Sequence, residues 1–233
     1  MSVPILMYHS ISDDNNPLSV NLSNFEKQMS FLHKSNFKSV NFDSINKNEI
    51  KKKFIITFDD GYKNVFDNAL PILLKFNFTA TVFLVSDLIG QFNKWDMNKE
   101  NFFKYELMDL DDIKKWLING MSIGCHTANH FNLKSLDETT KKKEIVEPKF
   151  FFKDMLSYEV NSFSYPYGSY DDQSAKIVKE NYKYAVTTNR SRYVTNKFAE
   201  HKIPRVPVNN KDNLFKFFIK INTFYEDIKF DEK

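Results

Sequence analysis

The chain is short of several features that mark particular classes of protein. It has 1 cysteine, Cys125, in 233 residues, so it cannot form a disulfide within itself. Its net charge of +3, without an arginine-rich patch, is too small to favour nucleic acid as a partner. It has no apolar run long enough to cross a bilayer. We therefore predict a globular protein with no nucleic-acid partner and no membrane span.

The first residues bear on localisation. Residues 1–7 contain neither a basic segment nor a long apolar stretch, so they are typical of a first β-strand and not of a signal peptide. On this basis we expect a cytoplasmic protein, or an extracytoplasmic one if a leader has been removed.

The alternation of strand and helix patterns predicts the fold class. A length of 233 residues fits one α/β domain, and we expect residues 1–233 to form it. Seven or eight strands separated by helical crossovers favour a distorted (β/α)7-8 barrel, similar to a TIM barrel, over an open sheet. The predicted strands lie near residues 5–9, 39–42, 54–58, 79–85, 122–125, 162–165, 184–187 and 203–208. Predicted helices begin at Ser23, Asn64, Asp109, Ser135, Asp171 and Asp212, and Pro148 is expected to kink or split the fourth.

Two adjacent carboxylates, Asp59 and Asp60, stand at the end of the apolar strand 54–58. Neighbouring side chains at a strand end point in different directions, so one can hold a metal while the other acts as a base. Gly61 then allows a sharp turn. Asp-Gly is also a hairpin signal, but residues 64–76 have helical periodicity instead of forming a second strand. Taken alone, the stretch fits an active-site loop and a structural turn equally well.

His126 and His130 follow a second predicted strand. Side chains four residues apart can face the same way on a helical turn, and two imidazoles with one carboxylate leave a position for water, as in catalytic zinc sites. The alternative is two unrelated loop histidines. Four predicted strand ends carry polar groups, and these ends share one face of a parallel barrel. The groups are His9, Asp59–Asp60, His126 with His130, and residues 165–168.

Three segments in order resemble the motifs of the polysaccharide deacetylases, carbohydrate esterase family four. They are Thr57-Phe58-Asp59-Asp60-Gly61, His126-Thr127-Ala128-Asn129-His130 and Phe163-Ser164-Tyr165-Pro166-Tyr167-Gly168. Met7-Tyr8-His9-Ser10 is similar to the branch that includes the poly-N-acetylglucosamine deacetylases. The resemblance extends from Leu6 to about Val208. It implies a metal-dependent enzyme that removes acetyl groups from N-acetylated amino sugars of a surface glycan or its precursor.

The same resemblance implies the metal ligands and the base. Asp60, His126 and His130 would bind one divalent metal, most often zinc, with cobalt, nickel or manganese as alternatives. Asp59 would take a proton from the attacking water. The hydroxyl of Thr127 would brace the histidine loop.

Further catalytic roles follow from the resemblance. The backbone N–H of Tyr167 would help to hold the oxyanion. A general acid must protonate the departing amine. Family members often use a late histidine, but the poly-N-acetylglucosamine branch resembles a case with an early Tyr-His, which favours His9 and leaves His201 as the rival.

The substrate-binding candidates are Tyr165, Pro166, Trp95 and Arg205. Many family members have an arginine where Ser164 stands, and Arg205 is the candidate that replaces it in orienting the base. Trp95 fits the sugar pocket and the core equally well. The family's fourth motif, an acidic-tryptophan segment, has no clear counterpart.

Two other functions remain open at this point. One is an amidohydrolase of the same fold that acts on a small non-sugar amide. The other is a non-catalytic carbohydrate-binding relative, against which the complete Asp-Asp and His-His sets argue. The expected partner is a carbohydrate bearing N-acetyl groups, and the oligomeric state is left open.

Overall fold

Eight parallel β-strands organise the structure, a computed structural model that describes residues 2–47 and 50–229. The strands that form or extend the barrel are β1 (Ile5–Tyr8), β2 (Lys38–Ser39), β3 (Lys53–Phe58), β4 (Thr81–Leu84), β5 (Ser122–Cys125), β6 (Ser162–Ser164), β7 (Tyr184–Arg190) and β8 (Ile203–Pro207).

Closure of the sheet comes from β1, which pairs with β3 on one side and with β8 on the other. Seven strands thus form a ring, and the short β2 is attached to the beginning of β3 through Lys38 and Lys53. The predicted (β/α) barrel is therefore confirmed. Because all ring strands are parallel, their C-terminal ends form one mouth.

Seven α-helices surround the barrel within the described residues: α1 (Leu22–Lys34), α2 (Leu70–Lys75), α3 (Leu110–Ile118), α4 (Glu138–Leu156), α5 (Asp172–Asn181), α6 (Leu214–Asn222) and α7 (Tyr225–Lys229). A π-helical turn, Val65–Ala69, leads into α2, and two-residue strands pair Ser2–Val3 with Tyr193–Val194 and Ser10–Ile11 with Ser19–Val20. No helix in the described part of the chain is long and apolar enough to cross a membrane.

Three predicted helix starts are wrong by one or two positions. The residues that accept the capping hydrogen bonds are Asn21, Asp137 and Asn213 instead of Ser23, Ser135 and Asp212. Several neighbouring Ser, Asp and Asn side chains can cap in each case, so the sequence does not choose among them. Asp212 is instead buried, 2.7 Å from the Lys220 Nζ atom.

Two more local predictions are corrected. Pro148 lies inside α4 without splitting it, because the buried face that also contains Ile145 and Phe152 holds the helix on the barrel despite one missing N–H. The strand expected over 39–42 ends at Ser39, and Phe42 starts a 3₁₀ turn whose buried ring stacks on Tyr184.

The barrel interior is layered. Ile5, Ile55 and Ile203 belong to a buried apolar cluster near the N-terminal ends of the strands. Two residues further along β8 the interior becomes polar at Arg205, which is fully buried. The apolar layer is therefore a floor beneath a polar layer that faces the mouth.

Candidate active site

The two carboxylates after β3 are turned toward different partners by the backbone. The backbone N–H of Asp59 still donates to the carbonyl of Tyr8 at 3.0 Å, as in a strand. Asp60 has φ +74° and Gly61 has φ +71°, a left-handed conformation that non-glycine residues seldom adopt. A Cβ on Gly61 would lie 2.9 Å from Leu84 Cδ2, so this position also has no room for a side chain.

Asp59 is held by a bidentate ion pair. Arg205 Nη1 and Nη2 donate to its two carboxylate oxygens, each at 2.7 Å, and Ser164 Oγ lies 3.4 Å from both oxygens. Burial alone would raise the pKa of Asp59, but the charge and hydrogen bonds of Arg205 outweigh it and lower the pKa below its usual range. The carboxylate is thus kept ionised, as a base must be.

The sequence made Arg205 a candidate both for contacting the substrate and for orienting the base, and in the structure it contacts Asp59, the predicted base. Its side chain is fully buried, Nε donates to the carbonyl of Thr187 at 2.9 Å, and Nη1 also donates to Thr57 Oγ1 at 3.1 Å. Ser164, where the family pattern has arginine, accepts from Nη2 at 3.3 Å. Arg205 therefore comes from another strand, β8, and contacts Asp59, the predicted base that the arginine of the family motif would orient.

Asp60, His126 and His130 come together as one cluster. Asp60 Oδ1 lies 3.3 Å from the Nε2 atom of each histidine, all three candidate ligand atoms lie within 4.8 Å of one another, and all three residues are buried. The loop that brings the histidines together is not the expected helical turn. Thr127 and His130 have φ +65° and +61°, and these left-handed residues fold the loop back on itself.

Each histidine is oriented through its other ring nitrogen. The Nδ1 atom of His126 lies 2.7 Å from the carbonyl oxygen of Ser164, and that of His130 lies 3.1 Å from the hydroxyl of Tyr167. When Nδ1 donates its proton to these oxygens, the Nε2 atom of each ring can offer its lone pair to a bound cation, which is the tautomer that a metal ligand needs.

The electrostatics of the cluster suit a cation. Burial by itself would raise the pKa of Asp60, but hydrogen bonds from the two imidazoles lower it well below its usual range. Burial opposes the charged form of His126, yet the bond to Asp60 raises its pKa, whereas burial prevails at His130 and lowers its pKa. Two imidazole nitrogens and one carboxylate oxygen form a donor set that zinc accepts in catalytic sites.

Two neighbours brace His130. Its backbone N–H donates to Thr127 Oγ1 at 2.9 Å, which confirms the predicted role of that hydroxyl. The half-buried Trp95 stacks on the imidazole with the ring centres 4.4 Å apart and an angle of 25° between the planes. Trp95 also packs against the hydrophobic core, so it touches both the core and the metal-ligand cluster, and its place in a sugar pocket stays a prediction.

The fold separates the two candidate acids. His9 follows β1 directly and so lies at the mouth, where its charge acts on both Asp59 and Asp60. His201 precedes β8 and lies at the opposite end of the barrel, where its Nε2 atom is 2.9 Å from the carbonyl of Tyr182. Only His9 is near the predicted base.

The third motif, residues 163–168, contributes backbone groups and the Tyr167 side chain to the candidate site. Tyr165 and Pro166 are buried, and the Tyr165 hydroxyl donates to the His201 carbonyl at 3.2 Å, so both side chains are shielded from solvent here and their contact with substrate stays a prediction. Tyr167 has φ +60° and an exposed fraction of 51 %. A Cβ on Gly168 would lie 1.9 Å from Thr188 Oγ1, so the turn that presents Tyr167 requires this glycine.

The sequence did not reveal which oxygen atoms contact the Nδ1 atoms of His126 and His130, nor did it reveal the effect of the Asp96 charge. No sequence motif marks the Ser164 carbonyl or the Tyr167 hydroxyl as the partner of a histidine. Asp96 acts electrostatically on both His130 and Tyr167. The available signal for Asp96 was its position next to Trp95 in an irregular, aromatic segment.

The site combines a buried Asp-His-His cluster with a carboxylate held by an arginine, and both lie at the mouth of a β/α barrel. These features define the class of protein: a hydrolase-type barrel with a candidate metal centre. The comparison with known families is then specific. A family model for polysaccharide deacetylase matches residues 46–186, and the chain belongs to that family.

Relatives and solved structures agree with this assignment. YxkH of Bacillus subtilis strain 168, which carries the polysaccharide deacetylase name, is 32% identical over 193 residues, 80% of this chain and 64% of YxkH. This chain thus spans less than two thirds of that relative's length. The poly-beta-1,6-N-acetyl-D-glucosamine N-deacetylase of Staphylococcus epidermidis is 27% identical over 200 residues, which are 82% of this chain and 68% of that protein.

Two solved structures share the fold. BC0361, a polysaccharide deacetylase from Bacillus cereus, superposes with a TM-score of 0.83 at 26% identity, covering 95% of this chain and 69% of that one. The Streptococcus pyogenes deacetylase PplD, in complex with acetate, gives a TM-score of 0.82 at 24% identity and covers 95% and 99%. The second likeness concerns the fold alone.

Proposed function

We propose that this protein is a metal-dependent de-N-acetylase of N-acetylated amino sugars in a surface glycan or its precursor. The observation that carries the proposal is the convergence of Asp60, His126 and His130, with ligand atoms within 4.8 Å, beside Asp59 in its bidentate pair with Arg205. The first set offers a place for a divalent cation and the second offers a base. Both sets lie in a chain that belongs to the polysaccharide deacetylase family.

Asp60, His126 and His130 would hold the metal, which we propose is zinc. A cation bound there would polarise the acetamide carbonyl and lower the pKa of water. The protein supplies the ligand geometry, because the Ser164 carbonyl and the Tyr167 hydroxyl fix the two imidazole rings.

The chain's own groups would move the protons. Asp59, ionised at neutral pH because Arg205 lowers its pKa, takes a proton from the attacking water. His9, across the mouth at the end of β1, gives a proton to the departing amine. The backbone N–H of Tyr167 is proposed to stabilise the oxyanion, from a turn whose left-handed conformation is fixed by packing.

The substrate follows from the family and one relative. The staphylococcal relative named above is named for poly-beta-1,6-N-acetyl-D-glucosamine, which supports an N-acetylated glucosamine glycan or its precursor as the substrate here. Half-exposed aromatic side chains at the mouth, Trp95 and Tyr167, suit a sugar ring, which stacks its apolar face on aromatic rings.

Acetate release tests the proposal directly. The purified protein, loaded with zinc, is incubated with N-acetylglucosamine oligomers, with cyclic ureides and with other small amides. We expect acetate from the sugars alone, its loss on treatment with a chelator, and recovery with zinc or cobalt. Hydrolysis confined to the small amides would show the non-sugar amidohydrolase, and the absence of both hydrolysis and stoichiometric zinc by elemental analysis would show a non-catalytic relative.

A further inference from the structure

We propose that Glu144, on α4, is a positioning residue for the metal ligand His130, and that Pro148 frees a second group of Glu144 for the same task. This inference rests on the proposed function and adds to it two residues that lie outside the sequence motifs. It concerns the loop between the two histidines, residues 127–129, whose backbone must be fixed if His130 is to lie beside Asp60.

The carbonyl groups of this loop are bound by the turn after β4. The carbonyl of Thr127 accepts from the N–H of Ser86 at 3.2 Å, and the carbonyl of Ala128 accepts from the N–H of Asp87 at 3.0 Å. Ser86 and Asp87 begin a 3₁₀ turn shortly after the strand ends. Main-chain groups therefore hold this side of the loop, whichever side chains are present there.

The N–H groups on the other side of the loop are bound by Glu144. Its carboxylate accepts from the Asn129 N–H at 2.8 Å through Oε2 and from Asn129 Nδ2 at 2.9 Å through Oε1. Its backbone carbonyl accepts from the Ala128 N–H at 3.1 Å. One residue of α4 therefore satisfies the two consecutive backbone N–H groups that come directly before His130.

Pro148 explains why the Glu144 carbonyl is available. In an α-helix the carbonyl of residue 144 normally accepts from the N–H of residue 148, but a proline has no N–H to donate. Both residues lie inside α4 and are buried. A buried carbonyl without a donor would cost free energy, and the Ala128 N–H supplies the donor that the helix lacks. The proline thus turns a helix carbonyl toward the histidine loop.

The carboxylate of Glu144 cannot be replaced by a group that only has its shape. The residue is 3 % exposed, and buried polar atoms need hydrogen-bond partners. Glutamine has the same size but only one acceptor oxygen. In Glu144→Gln, either the Asn129 N–H or the Asn129 Nδ2 group would therefore face an NH₂ group, which is a donor facing a donor.

His130 depends on this contact more than His126 does. His126 continues β5, and its N–H still donates to the Leu84 carbonyl at 2.8 Å, as in a strand. His130 has φ +61° and follows Asn129 directly, so a shift of the Asn129 peptide moves its ring. We therefore expect Glu144 to act on the His130 Nε2 atom, which lies 3.3 Å from Asp60 Oδ1.

Zinc affinity, measured by competition with a chromophoric chelator, tests the role of Glu144. Glu144→Gln should weaken zinc binding by about tenfold or more, and the visible spectrum of the cobalt-loaded variant should differ from that of the wild type because it reports the ligand geometry. Glu147→Gln, on the exposed face of the same helix, is the matched control and should change neither. Pro148→Ala restores a competing donor, so the Ala128 amide should exchange faster with solvent in the zinc-free protein.

Asn129→Asp tests the contact itself. In the wild-type background this change places a carboxylate against the Glu144 carboxylate, so zinc binding should weaken. In Glu144→Gln it turns two opposed donors into a donor and an acceptor, so zinc affinity should recover. Asp87, 3.2 Å from Asn129 Nδ2, is present in both backgrounds and cancels in the comparison. Equal weakening in both backgrounds would refute the contact.

The remaining outcomes separate this proposal from the function. If Glu144→Gln binds zinc as tightly as the wild type and the amides of residues 128 and 129 exchange at unchanged rates, the positioning role is refuted, while acetate release from N-acetylated sugars still supports the function. If the wild type hydrolyses no such sugar but zinc affinity depends on Glu144, the function fails and the positioning role stands. Asn129→Ala, which removes only the bond to Oε1, should still lower zinc affinity if Glu144→Gln does not fold.

Discussion

The candidate site has two sides that are built differently. The inner side consists of Asp59, Arg205 and Ser164, all at most 2 % exposed and positioned by strands. The outer side consists of His130, Tyr167 and Trp95, which come from loops and include a tyrosine that is 51 % exposed. The inner side takes its geometry from the barrel, and the outer side takes it from contacts between loops.

This difference predicts a division of labour. A base must stay ionised in a buried place, so it needs a partner whose position cannot vary, and a bidentate arginine on a barrel strand provides that. A buried ligand that lies next to the mouth, such as His130, can be held by side chains that also meet the substrate. The four substitutions below should therefore separate loss of the base from loss of the metal.

The largest effect is expected on the inner side. Asp59→Asn keeps the shape of the side chain but removes the base, so kcat/KM for acetate release should fall about 10³-fold. Zinc content, measured by elemental analysis, should remain unchanged because the three proposed ligands are intact. Full hydrolysis by this variant would show that the base lies elsewhere and would remove the functional contrast between the two sides.

The second effect concerns stability and its pH dependence. Arg205 lowers the pKa of Asp59 in the folded state, so the pair stabilises the fold above the ordinary aspartate pKa, and this stabilisation is lost as the pH falls through the lowered value. In Arg205→Met the carboxylate is buried without its partner. The free energy of unfolding should then fall by about 3 kcal/mol or more at about pH 7.

That loss should shrink toward about pH 4, because burial without arginine raises the Asp59 pKa and a protonated carboxyl tolerates burial. Urea unfolding at several pH values measures it. Lys183→Met is the control, since it breaks an ion pair with Asp43 in which both side chains are more than half exposed, and it should cost less than about 1 kcal/mol. Equal losses for the two variants would contradict a special role of the buried pair.

How well the sequence predicted each part of the site depends on how far apart the contacting residues lie along the chain. The strand ends, the adjacent carboxylates and the histidine pair are local features, so their residues could be identified from spacing and from the resemblance. The partner of Asp59 is 146 positions away, and only the resemblance suggested Arg205 for it. Periodicity alone says nothing of such a long-range pair.

Other predictions meet physical limits too. Tyr165 stays a predicted substrate contact, but alternation places its ring on the side of Phe163, with the ring centres 5.2 Å apart, while Ser164 faces Asp59. The strand pattern contains this information, and the motif does not. The left-handed residues Asp60, Thr127 and His130 could not be predicted, because only a few per cent of non-glycine residues adopt a positive φ, even though Asp and His do so more often than most.

The third prediction concerns the outer side. Tyr167→Phe removes the hydroxyl that lies 3.1 Å from His130 Nδ1, so His130 loses the partner that fixes its ring. Zinc affinity, measured by competition with a chromophoric chelator, should fall by about tenfold or somewhat more. Tyr170→Phe, which changes a tyrosine packed on Tyr165, should leave the affinity unchanged. Unaltered affinity in Tyr167→Phe would mean that the outer side is as self-supporting as the inner one.

The smallest effect should come from Thr127, which braces the outer loop together with the buried Glu144. Thr127→Val keeps the β-branched shape at a position with φ +65°, but leaves the His130 N–H without its acceptor in a fully buried place. We expect a loss of about 1–2 kcal/mol in the free energy of unfolding, whereas Thr127→Ser, which retains the hydroxyl, should stay close to the wild type. Thermal and urea unfolding of the zinc-free proteins measure this without any contribution from the metal. If valine and serine were equivalent, the loop would owe its form to its hydrogen bonds with Glu144, the stacking of Trp95 and the contact with Tyr167, and the hydroxyl of Thr127 would contribute nothing to the outer side.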